Sequence, residues 1–305
     1  MMKVLVTGAS GFIGNRVALA FQNKGYDVIG WNRTGAANVF LTEKVNMLSK
    51  SEIVKHLGLI QPNIIIHCAG SADVSKSVSN PEIDYEGNVT LTHNMLFALH
   101  TCGFKNTRFV YLSSAGVYGN PISLPITEDM PLNPLSPYAV HKVMCEELCK
   151  YFVRNYGMNV KVARIFSAYG EGLKKQLFWD MYQKLKNTHY LDLFGTGKES
   201  RDYIHIDDVV QSLHLLATKD TEHMIFNIAN GTEVTIQDAA GLFAAAAGVE
   251  KSRIHFNGIV REGDPLNWKA DIGRISALGY KNTVDMKSGI YQYVNWCCQS
   301  NGEGN

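Results

Sequence analysis

The chain has 305 residues, of which 46% are apolar and 19% charged, and its formal net charge is +1. A chain of this length can bury a large hydrophobic core, and its near-neutral charge argues against binding to nucleic acid or to an anionic membrane. No apolar run is long enough to cross a bilayer, and the sequence opens directly with a strand pattern, so we expect a cytoplasmic protein. The six cysteines contain no C-x-x-C pair, and we interpret them as reduced thiols.

Strands and helices alternate along the first half of the chain, a pattern typical of a parallel sheet. The predicted strands are 1–6, 27–31, 63–67, 108–113 and 159–165, with a further unit beginning at 45–47. The predicted helices are 12–24, 51–59, 88–100, 138–156, 176–187, 208–218 and 236–247. We therefore expect an α/β fold, a doubly wound parallel sheet of the Rossmann type. A smaller C-terminal substrate-binding region would cover the carboxyl edge of the sheet, where such sheets bind ligands.

A glycine-rich turn follows the first predicted strand, with the spacing G-x-x-G-x-x-G at Gly8, Gly11 and Gly14. The first glycine permits a tight turn, the second lets the backbone approach a phosphate, and the third lets the helix pack close to the sheet. The free N–H groups of the following helix turn would then face a pyrophosphate. Between a strand and a helix, this pattern predicts dinucleotide binding, with a plain glycine-rich turn as the minor alternative.

The end of the second predicted strand indicates which dinucleotide would bind. NAD enzymes place a carboxylate there to hold the ribose hydroxyls, whereas this chain has Asn32 and Arg33 and no acid. An arginine can pair with a 2′-phosphate, so the sequence favours NADP(H) over NAD. The alternative is that Arg33 is an ordinary solvated loop residue.

Tyr138 and Lys142 are four residues apart in a predicted helix and therefore lie on the same face. The lysine ammonium would favour the phenolate of Tyr138, which could then exchange a proton with a substrate oxygen while hydride moves at the adjoining carbon. Ser114, at the end of a predicted strand, could steady the same oxygen, with Ser113 beside it. Taken singly, these residues are more often a helix surface and a strand-end cap.

Seven motifs in order resemble the extended short-chain dehydrogenase/reductase family, the group of nucleotide-sugar epimerases, dehydratases and reductases, over nearly the whole chain. They are TGASGFIG (7–14), HCAG (67–70), SSAGVYG (113–119), SPYAVHK (136–142), RIFSAYG (164–170), GTGKESRDYIHIDDV (195–209) and REGDP (261–265). The resemblance implies a dinucleotide-binding domain at 1–165, with sheet contributions from about 203–230. Residues 166–305 would mainly bind the nucleotide sugar.

The resemblance also implies roles for the matching residues. Ser114, Tyr138 and Lys142 would be the catalytic set. The candidate cofactor-binding residues are Gly8, Ser10, Gly11, Phe12, Ile13, Gly14, Asn32, Arg33, Asn46, Met47, Ala69, Gly70, Asn88, Ser113, Tyr138, Lys142 and Ile165. The candidate substrate-binding residues are Ser114, Tyr138, Ser167, Lys175, Arg201, Arg261 and Asp264. Arginine forks suit phosphate and an acid suits ribose hydroxyls, although isolated arginines more often form surface salt bridges.

Departures from the family pattern separate the possible reactions. The 4,6-dehydratases carry acids directly after the serine or threonine, where this chain has Ala115 and Gly116, so dehydration is disfavoured. The missing acid at the second strand, and Ser167 where epimerases tend to have asparagine, favour an NADPH-dependent reductase of a nucleotide-linked 4-keto-6-deoxy sugar. The alternative is an NAD-dependent nucleotide-sugar 4-epimerase. A non-catalytic NADP-binding sensor is less favoured, since both Tyr138 and Lys142 are present.

The resemblance further implies a homodimer that packs two helices per subunit, 88–100 and 138–156, into a four-helix bundle. Val143, Leu148 and Phe152 form an apolar stripe on the second helix that suits either this interface or the core. His141 and His205 are not spaced with other ligands, so no metal site is predicted.

Overall fold

The computed structural model describes residues 1–33, 40–188, 190–259 and 265–299. Its strands are β1 (Lys3–Thr7), β2 (Asp27–Asn32), β3 (Leu41–Lys44), β4 (Ile64–His67), β5 (Arg108–Ser114), β6 (Val160–Ile165), β7 (Ser167–Tyr169), β8 (Leu191–Leu193), β9 (Ser200–His205), β10 (Ile225–Ile228), β11 (Glu233–Thr235) and β12 (Ile254–Phe256). Its helices are α1 (Phe12–Asn23), α2 (Lys50–Ile60), α3 (Val74–Ser79), α4 (Pro81–Tyr85), α5 (Leu91–Thr101), α6 (Pro137–Tyr156), α7 (Gln176–Asn187), α8 (Ile206–Thr218), α9 (Ile236–Ala246), α10 (Gly273–Ala277) and α11 (Met286–Gln299).

Seven parallel strands form the central sheet, in the order β10-β6-β5-β4-β1-β2-β3. In this register Val6 of β1 pairs with Gly30 of β2 on one side and with Ile66 of β4 on the other. The strand order reverses direction between β1 and β4, which is the point where open α/β sheets bind their ligands. The predicted doubly wound, Rossmann-type sheet is therefore confirmed.

A separate apolar layer covers each face of the central sheet. Strand residues such as Val4 and Val6 pack against α1 and α8, whereas Leu5 and Ile65 pack against α2, α5 and α6. Because successive strand residues face opposite sides, the nearly continuous apolar runs of these strands supply both layers. Within the described ranges, no helix combines the length and apolar character needed to span a membrane.

The third strand lies earlier than the sequence suggests. β3 ends at Lys44, before the predicted unit at 45–47. Val45 and Met47 are nevertheless buried, because they pack into the core from the connection that follows the strand. The predicted helix at 88–100 also starts later, at Leu91, after a π-helical turn at Glu86–Thr90.

A smaller region covers the carboxyl edge of the central sheet. It contains a three-stranded sheet, β11-β9-β7, and the two-stranded pair β12-β8. Helices α7, α9 and α11 pack together through an aromatic cluster that includes Phe178, Tyr203, Phe243 and Tyr293. Among the described residues after β6, the strand that joins the central sheet is β10, which comes between β9 and β11 in the sequence.

Of the two roles that the sequence left open for the apolar stripe of α6, an interface or the core, the structure shows the core. Phe152 is buried, and Val143 and Leu148 pack against the core clusters. The large apolar side chains that α6 exposes are instead Val140, Met144, Tyr151 and Tyr156. Helix α6 is apolar on two faces, and periodicity alone does not separate the core face from an interface face.

Candidate active site

A cavity of about 950 Å³ opens at the carboxyl edge of the central sheet. The predicted site residues that line it are Gly8, Gly11, Phe12, Ile13, Gly14, Gly70, Ser113, Ser114, Tyr138, Lys142, Ile165, Ser167, Lys175 and Arg201. Ser10, Asn32, Arg33, Asn46, Met47, Ala69 and Asn88 are absent from its lining. Arg261 and Asp264 lie outside the described residues. One continuous space thus connects the glycine turn with the predicted catalytic and substrate residues.

The glycine turn has no room for side chains. Gly8 has a φ of +66°, and a Cβ there would lie 2.8 Å from the nitrogen of Ala69. A Cβ on Gly14 would lie 2.3 Å from the Gly8 carbonyl oxygen, so only glycine lets α1 pack this close to the turn. Gly11 caps α1 without a side-chain hydrogen bond, and the first turn carries no acid. These uncapped amides fit the pyrophosphate of a dinucleotide.

Thr7 and His67 join the ends of β1 and β4 at the point where the strand order reverses. The Thr7 hydroxyl lies 2.9 Å from His67 Nδ1, and it accepts a hydrogen bond from the Ala69 amide at 3.1 Å. Burial, with a smaller contribution from Lys142, lowers the pKa of His67 to about 3. The imidazole is therefore neutral at physiological pH and acts as a structural link.

The end of β2 carries cations and no acid. Asn32 is buried and lies opposite Lys44 in the β2–β3 register, and the next residue is the exposed Arg33. The nearest acid along β3, Glu43, accepts hydrogen bonds from Trp31 Nε1 at 3.2 Å and from His56 Nδ1 at 3.1 Å. Residues paired in register point to the same face, and successive residues along a strand alternate between faces. Glu43 pairs with Trp31 and Lys44 with Asn32, so Glu43 lies on the face opposite to Asn32.

Two of the predicted cofactor-binding residues, Asn46 and Met47, lie in the connection after β3. Asn46 is exposed, and its Oδ1 accepts a hydrogen bond from the Leu48 amide at 3.1 Å. Met47 is buried, and its carbonyl accepts a hydrogen bond from Asn94 Nδ2 at 3.1 Å. The connection is therefore held in place on the α5 side.

Helix α6 positions the predicted catalytic side chains. It begins after Ser136, whose hydroxyl accepts a hydrogen bond from the Ala139 amide at 3.3 Å. Tyr138 and Lys142 are both buried, and the Lys142 ammonium donates to the Leu112 carbonyl at 3.0 Å. The same ammonium lies 5.7 Å from the centre of the Tyr138 ring. The predicted pairing of phenol and ammonium on one helix face is present in the structure.

Ser114 ends β5 on the same side of the cavity. Its hydroxyl accepts a hydrogen bond from the Gly116 amide at 3.1 Å. A Cβ on Gly116 would lie 3.4 Å from that hydroxyl oxygen and 4.0 Å from Cε1 of Tyr138. Position 116 therefore faces the space between serine and tyrosine, and glycine leaves that space without an acid.

Asn88 lies in the π-helical turn, a feature that often marks functional sites. Its Nδ2 donates to the Asp84 carbonyl at 3.1 Å, whereas its buried Oδ1 finds no donor within the described part of the chain. A Cβ on Gly70 would lie 2.8 Å from this Oδ1 and 3.6 Å from the Lys142 ammonium. The Asn88 oxygen and the Lys142 ammonium thus both border position 70, which lines the cavity.

A buried charged network of Glu146 and Arg164 contacts Ser113, next to Ser114, and was not predicted from the sequence. Ser113 Oγ donates to Glu146 at 2.5 Å, and Arg164 donates to the same carboxylate at 2.7 and 3.0 Å. The hydroxyl of Ser113 is thus engaged by Glu146. Two signals could have revealed the network. Arg164 is a charge within an otherwise apolar strand end, and Glu146 lies four residues after Lys142.

The cavity lining also includes the predicted substrate residues Lys175 and Arg201. Lys175 donates to the Ala72 carbonyl at 3.0 Å, and its partial burial lowers its pKa. α7 begins at the next residue, Gln176, which has a φ of +66°. Arg201 Nη1 donates to the Ser200 carbonyl at 2.9 Å. Two cations and a helix start therefore border the same space.

A glycine-rich dinucleotide turn and a Ser-Tyr-Lys set around one cavity define the extended short-chain dehydrogenase/reductase class. Within that class, the chain belongs to the NAD dependent epimerase/dehydratase family, whose model matches residues 4–229. A putative UDP-glucose 4-epimerase from Methanocaldococcus jannaschii is 31% identical, over 98% of this chain and 99% of that protein.

Solved structures agree with this assignment. The UDP-glucose 4-epimerase of Thermotoga maritima, solved with UDP-glucose, superimposes with a TM-score of 0.90 at 26% identity, over 98% of this chain and 100% of its own. The UDP-glucuronic acid 4-epimerase of Bacillus cereus, solved with UDP-glucuronic acid and NAD, gives 0.88 at 26% identity with the same coverage. The resemblance stated from the motifs is confirmed.

Proposed function

We propose that this protein is a nucleotide-sugar 4-epimerase. The second candidate is a 4-keto-sugar reductase, which Asn32 and Arg33 at the end of β2 favour because no acid stands there. The observation that carries the proposal is the set of Ser114, Tyr138 and Lys142 beside a glycine at position 116. This set can move a proton at a sugar hydroxyl but offers no carboxylate for the loss of water. The similar proteins, named as UDP-glucose or UDP-glucuronic acid 4-epimerases, cover nearly the whole chain and support the same choice.

In the proposed reaction, the chain's own residues handle the proton at carbon 4. A bound nicotinamide dinucleotide supplies the acceptor and donor of hydride. Tyr138 takes the proton of the carbon 4 hydroxyl as that carbon loses hydride, and gives it back when hydride returns to the opposite face of the sugar. Lys142 lies beside Tyr138, with its ammonium 5.7 Å from the centre of the ring. Ser114 hydrogen-bonds the same substrate oxygen.

Lys175 and Arg201 are the proposed contacts of the substrate diphosphate. Both line the same cavity as the glycine turn, and cations stabilise phosphate charge there. Ser167 also lines the cavity and is a proposed sugar contact. Arg261 and Asp264 stay predicted contacts from the sequence.

For the cofactor, we propose that NADP(H) is preferred, although the Bacillus cereus structure holds NAD. Arg33 and Lys44 lie at the ends of β2 and β3, and Glu43 is already engaged by Trp31 and His56. This observation also favours the second candidate function, an NADPH-dependent reductase of a nucleotide-linked 4-keto sugar, because such an enzyme consumes the reduced cofactor. Titration of NADPH and NADH by fluorescence tests the preference directly. Tighter binding of NADH would contradict it.

We propose a homodimer through α5 and α6, with a different contact surface from the predicted stripe. Val140, Met144 and Tyr151 are exposed at intervals that place them on one face of α6, and Phe97 is exposed on α5. A second copy would cover these side chains. Sedimentation of the wild-type protein and of Met144→Glu tests the interface, since a buried charge should release monomers.

The epimerase proposal is tested by offering the purified protein UDP-glucose or UDP-glucuronate and separating the 4-epimers by chromatography. We expect epimer formation by the wild type and almost none by Tyr138→Phe. Tyr291→Phe, which removes the hydroxyl of an exposed tyrosine on α11, is the matched control and should keep full activity. If no epimer forms but a nucleotide-linked 4-keto sugar is reduced with an equal amount of NADPH, the second candidate is correct.

A further inference from the structure

Trp268 lies where three segments of the candidate site meet. Its side chain is 8% exposed and lines the cavity. The indole N–H donates to the Gly119 carbonyl at 3.0 Å, and the ring meets Phe166 edge-on with centroids 5.7 Å apart. The guanidinium of Arg201 lies 5.6 Å from the centre of the indole. One side chain therefore contacts three separate parts of the chain.

Each of these contacts adjoins a residue that the proposed function uses. Gly119 closes the short turn that begins at Ser114. Phe166 directly precedes Ser167. The third contact is Arg201 itself, a proposed diphosphate ligand. Trp268 is thus placed to influence the catalytic serine and the diphosphate contact together.

Orientation matters for Arg201 because a guanidinium recognises phosphate through a planar fork of N–H groups. Its Nη1 is directed to the Ser200 and Leu266 carbonyls, at 2.9 and 3.4 Å. The indole face supports the guanidinium by a cation–π contact, which depends on the plane of the ring. Without the ring, the guanidinium would keep its hydrogen bonds but lose the surface against which it lies.

The backbone around Trp268 is fixed independently of its ring. The Trp268 amide donates to the Ser200 carbonyl at 3.2 Å, and the Ser200 amide donates to the Leu266 carbonyl at 3.0 Å. The amide of Ala270 donates to the buried Asp202 carboxylate at 3.0 Å. Replacement of the indole should therefore leave this segment beside β9, so that binding can be measured on a folded protein.

We propose that Trp268 is a positioning residue for the recognition of a nucleoside diphosphate. Its indole holds the Arg201 guanidinium in place at the cavity wall, and its N–H holds the turn that carries Ser114. The inference rests on the proposed function, since it takes Arg201 to bind the diphosphate of a nucleotide sugar.

The test measures UDP affinity by calorimetry in the full-length protein. Trp268→Leu removes the cation–π contact, and we expect UDP to bind about 3- to 30-fold more weakly, the range that corresponds to such a contact. Trp268→Phe keeps an aromatic face but loses the N–H, so UDP affinity should fall less while kcat falls. NADPH affinity, measured by fluorescence, should not change, because the glycine turn is not among the contacts of Trp268.

A double-mutant cycle with Arg201→Met decides whether Trp268 acts through the arginine. In the Arg201→Met background, Trp268→Leu should change UDP affinity by less than about twofold, within the usual additivity error. Trp296→Leu, at an indole outside the cavity lining on α11, is the matched control and should bind UDP like the wild type.

The possible failures are distinguishable. If the wild-type protein binds UDP but Trp268→Leu binds it equally well, the positioning role is wrong and the proposed function stands. An equal loss in both arginine backgrounds also overturns it, since Trp268 would then act without Arg201. If the wild type binds none of UDP, dTDP and GDP, the proposed function itself fails, and the role of Trp268 with it.

Discussion

Replacement of Glu146 by glutamine should destabilise the protein strongly, although the two side chains have the same shape. Glu146 is 0% and Arg164 2% exposed. The carboxylate accepts hydrogen bonds from Arg164 Nη2 at 2.7 Å, from Arg164 Nε at 3.0 Å and from Ser113 at 2.5 Å. Glutamine would leave the guanidinium buried without a counter-charge, and the removal of one partner of such a pair costs about 3–5 kcal/mol.

Urea unfolding followed by circular dichroism measures this loss. With a slope of about 3 kcal/mol/M, the expected loss moves the transition midpoint down by about 1 M or more. The matched control is Glu147→Gln on the same helix, whose carboxylate is 61% exposed and pairs with Lys150 at 2.7 Å. That surface pair should contribute less than about 1 kcal/mol. A Glu146→Gln protein that unfolds with the control would refute the idea that a buried charge pair supports the serine segment.

Three further predictions concern the site directly. Tyr138→Phe should lower kcat by about 10²- to 10⁴-fold, as expected for loss of a general acid–base group, with NADPH affinity unchanged in a fluorescence titration. Lys175→Gln should raise KM for the nucleotide sugar. Burial lowers the pKa of Lys175, so its charge is present at neutral pH and is lost as the pH rises through that lowered value. The affinity of the wild type for the nucleotide sugar should therefore fall at a lower pH than an ordinary lysine would give. The variant should lack this pH dependence. Gly14→Ala places a Cβ 2.3 Å from the Gly8 carbonyl oxygen and should weaken NADPH binding at least about tenfold, the equivalent of about 1.4 kcal/mol. Gly58→Ala, in open space on α2, should instead stabilise the protein by up to about 1 kcal/mol in urea unfolding.

The predictable parts of this molecule are those written in local patterns. The glycine spacing at Gly8, Gly11 and Gly14 has steric causes within one strand-turn-helix unit, and the structure places the three as expected. Tyr138 and Lys142 share a face because helix geometry fixes the direction of residues four apart. The central sheet was predictable because strands buried on both faces are almost wholly apolar.

The parts that escaped prediction depend on contacts between distant segments. Glu146 on α6 and Arg164 on β6 are 18 residues apart in sequence and meet through tertiary packing. The indole N–H of Trp268 donates to the carbonyl of Gly119, 149 residues earlier in the chain, and no local spacing predicts this hydrogen bond. The sequence predicts that Asn88 starts a helix, whereas in the structure it lies in a π-helical turn. No sequence pattern used for the prediction distinguishes such a turn from the start of an α-helix. The cytoplasmic location stays a prediction from the sequence.

The most direct test of the central claim follows the hydrogen at carbon 4 of the sugar. UDP-glucose or UDP-glucuronate deuterated at that carbon would be incubated with the purified protein, and the product examined by NMR and mass spectrometry. An epimerase that returns the same hydride predicts deuterium retained at carbon 4 of the 4-epimer, with no net change in the absorbance of reduced nicotinamide. Loss of deuterium from the 4-epimer, or the absence of any 4-epimer, would contradict the account. Consumption of one NADPH per sugar when a nucleotide-linked 4-keto sugar is supplied instead would then identify a ketoreductase.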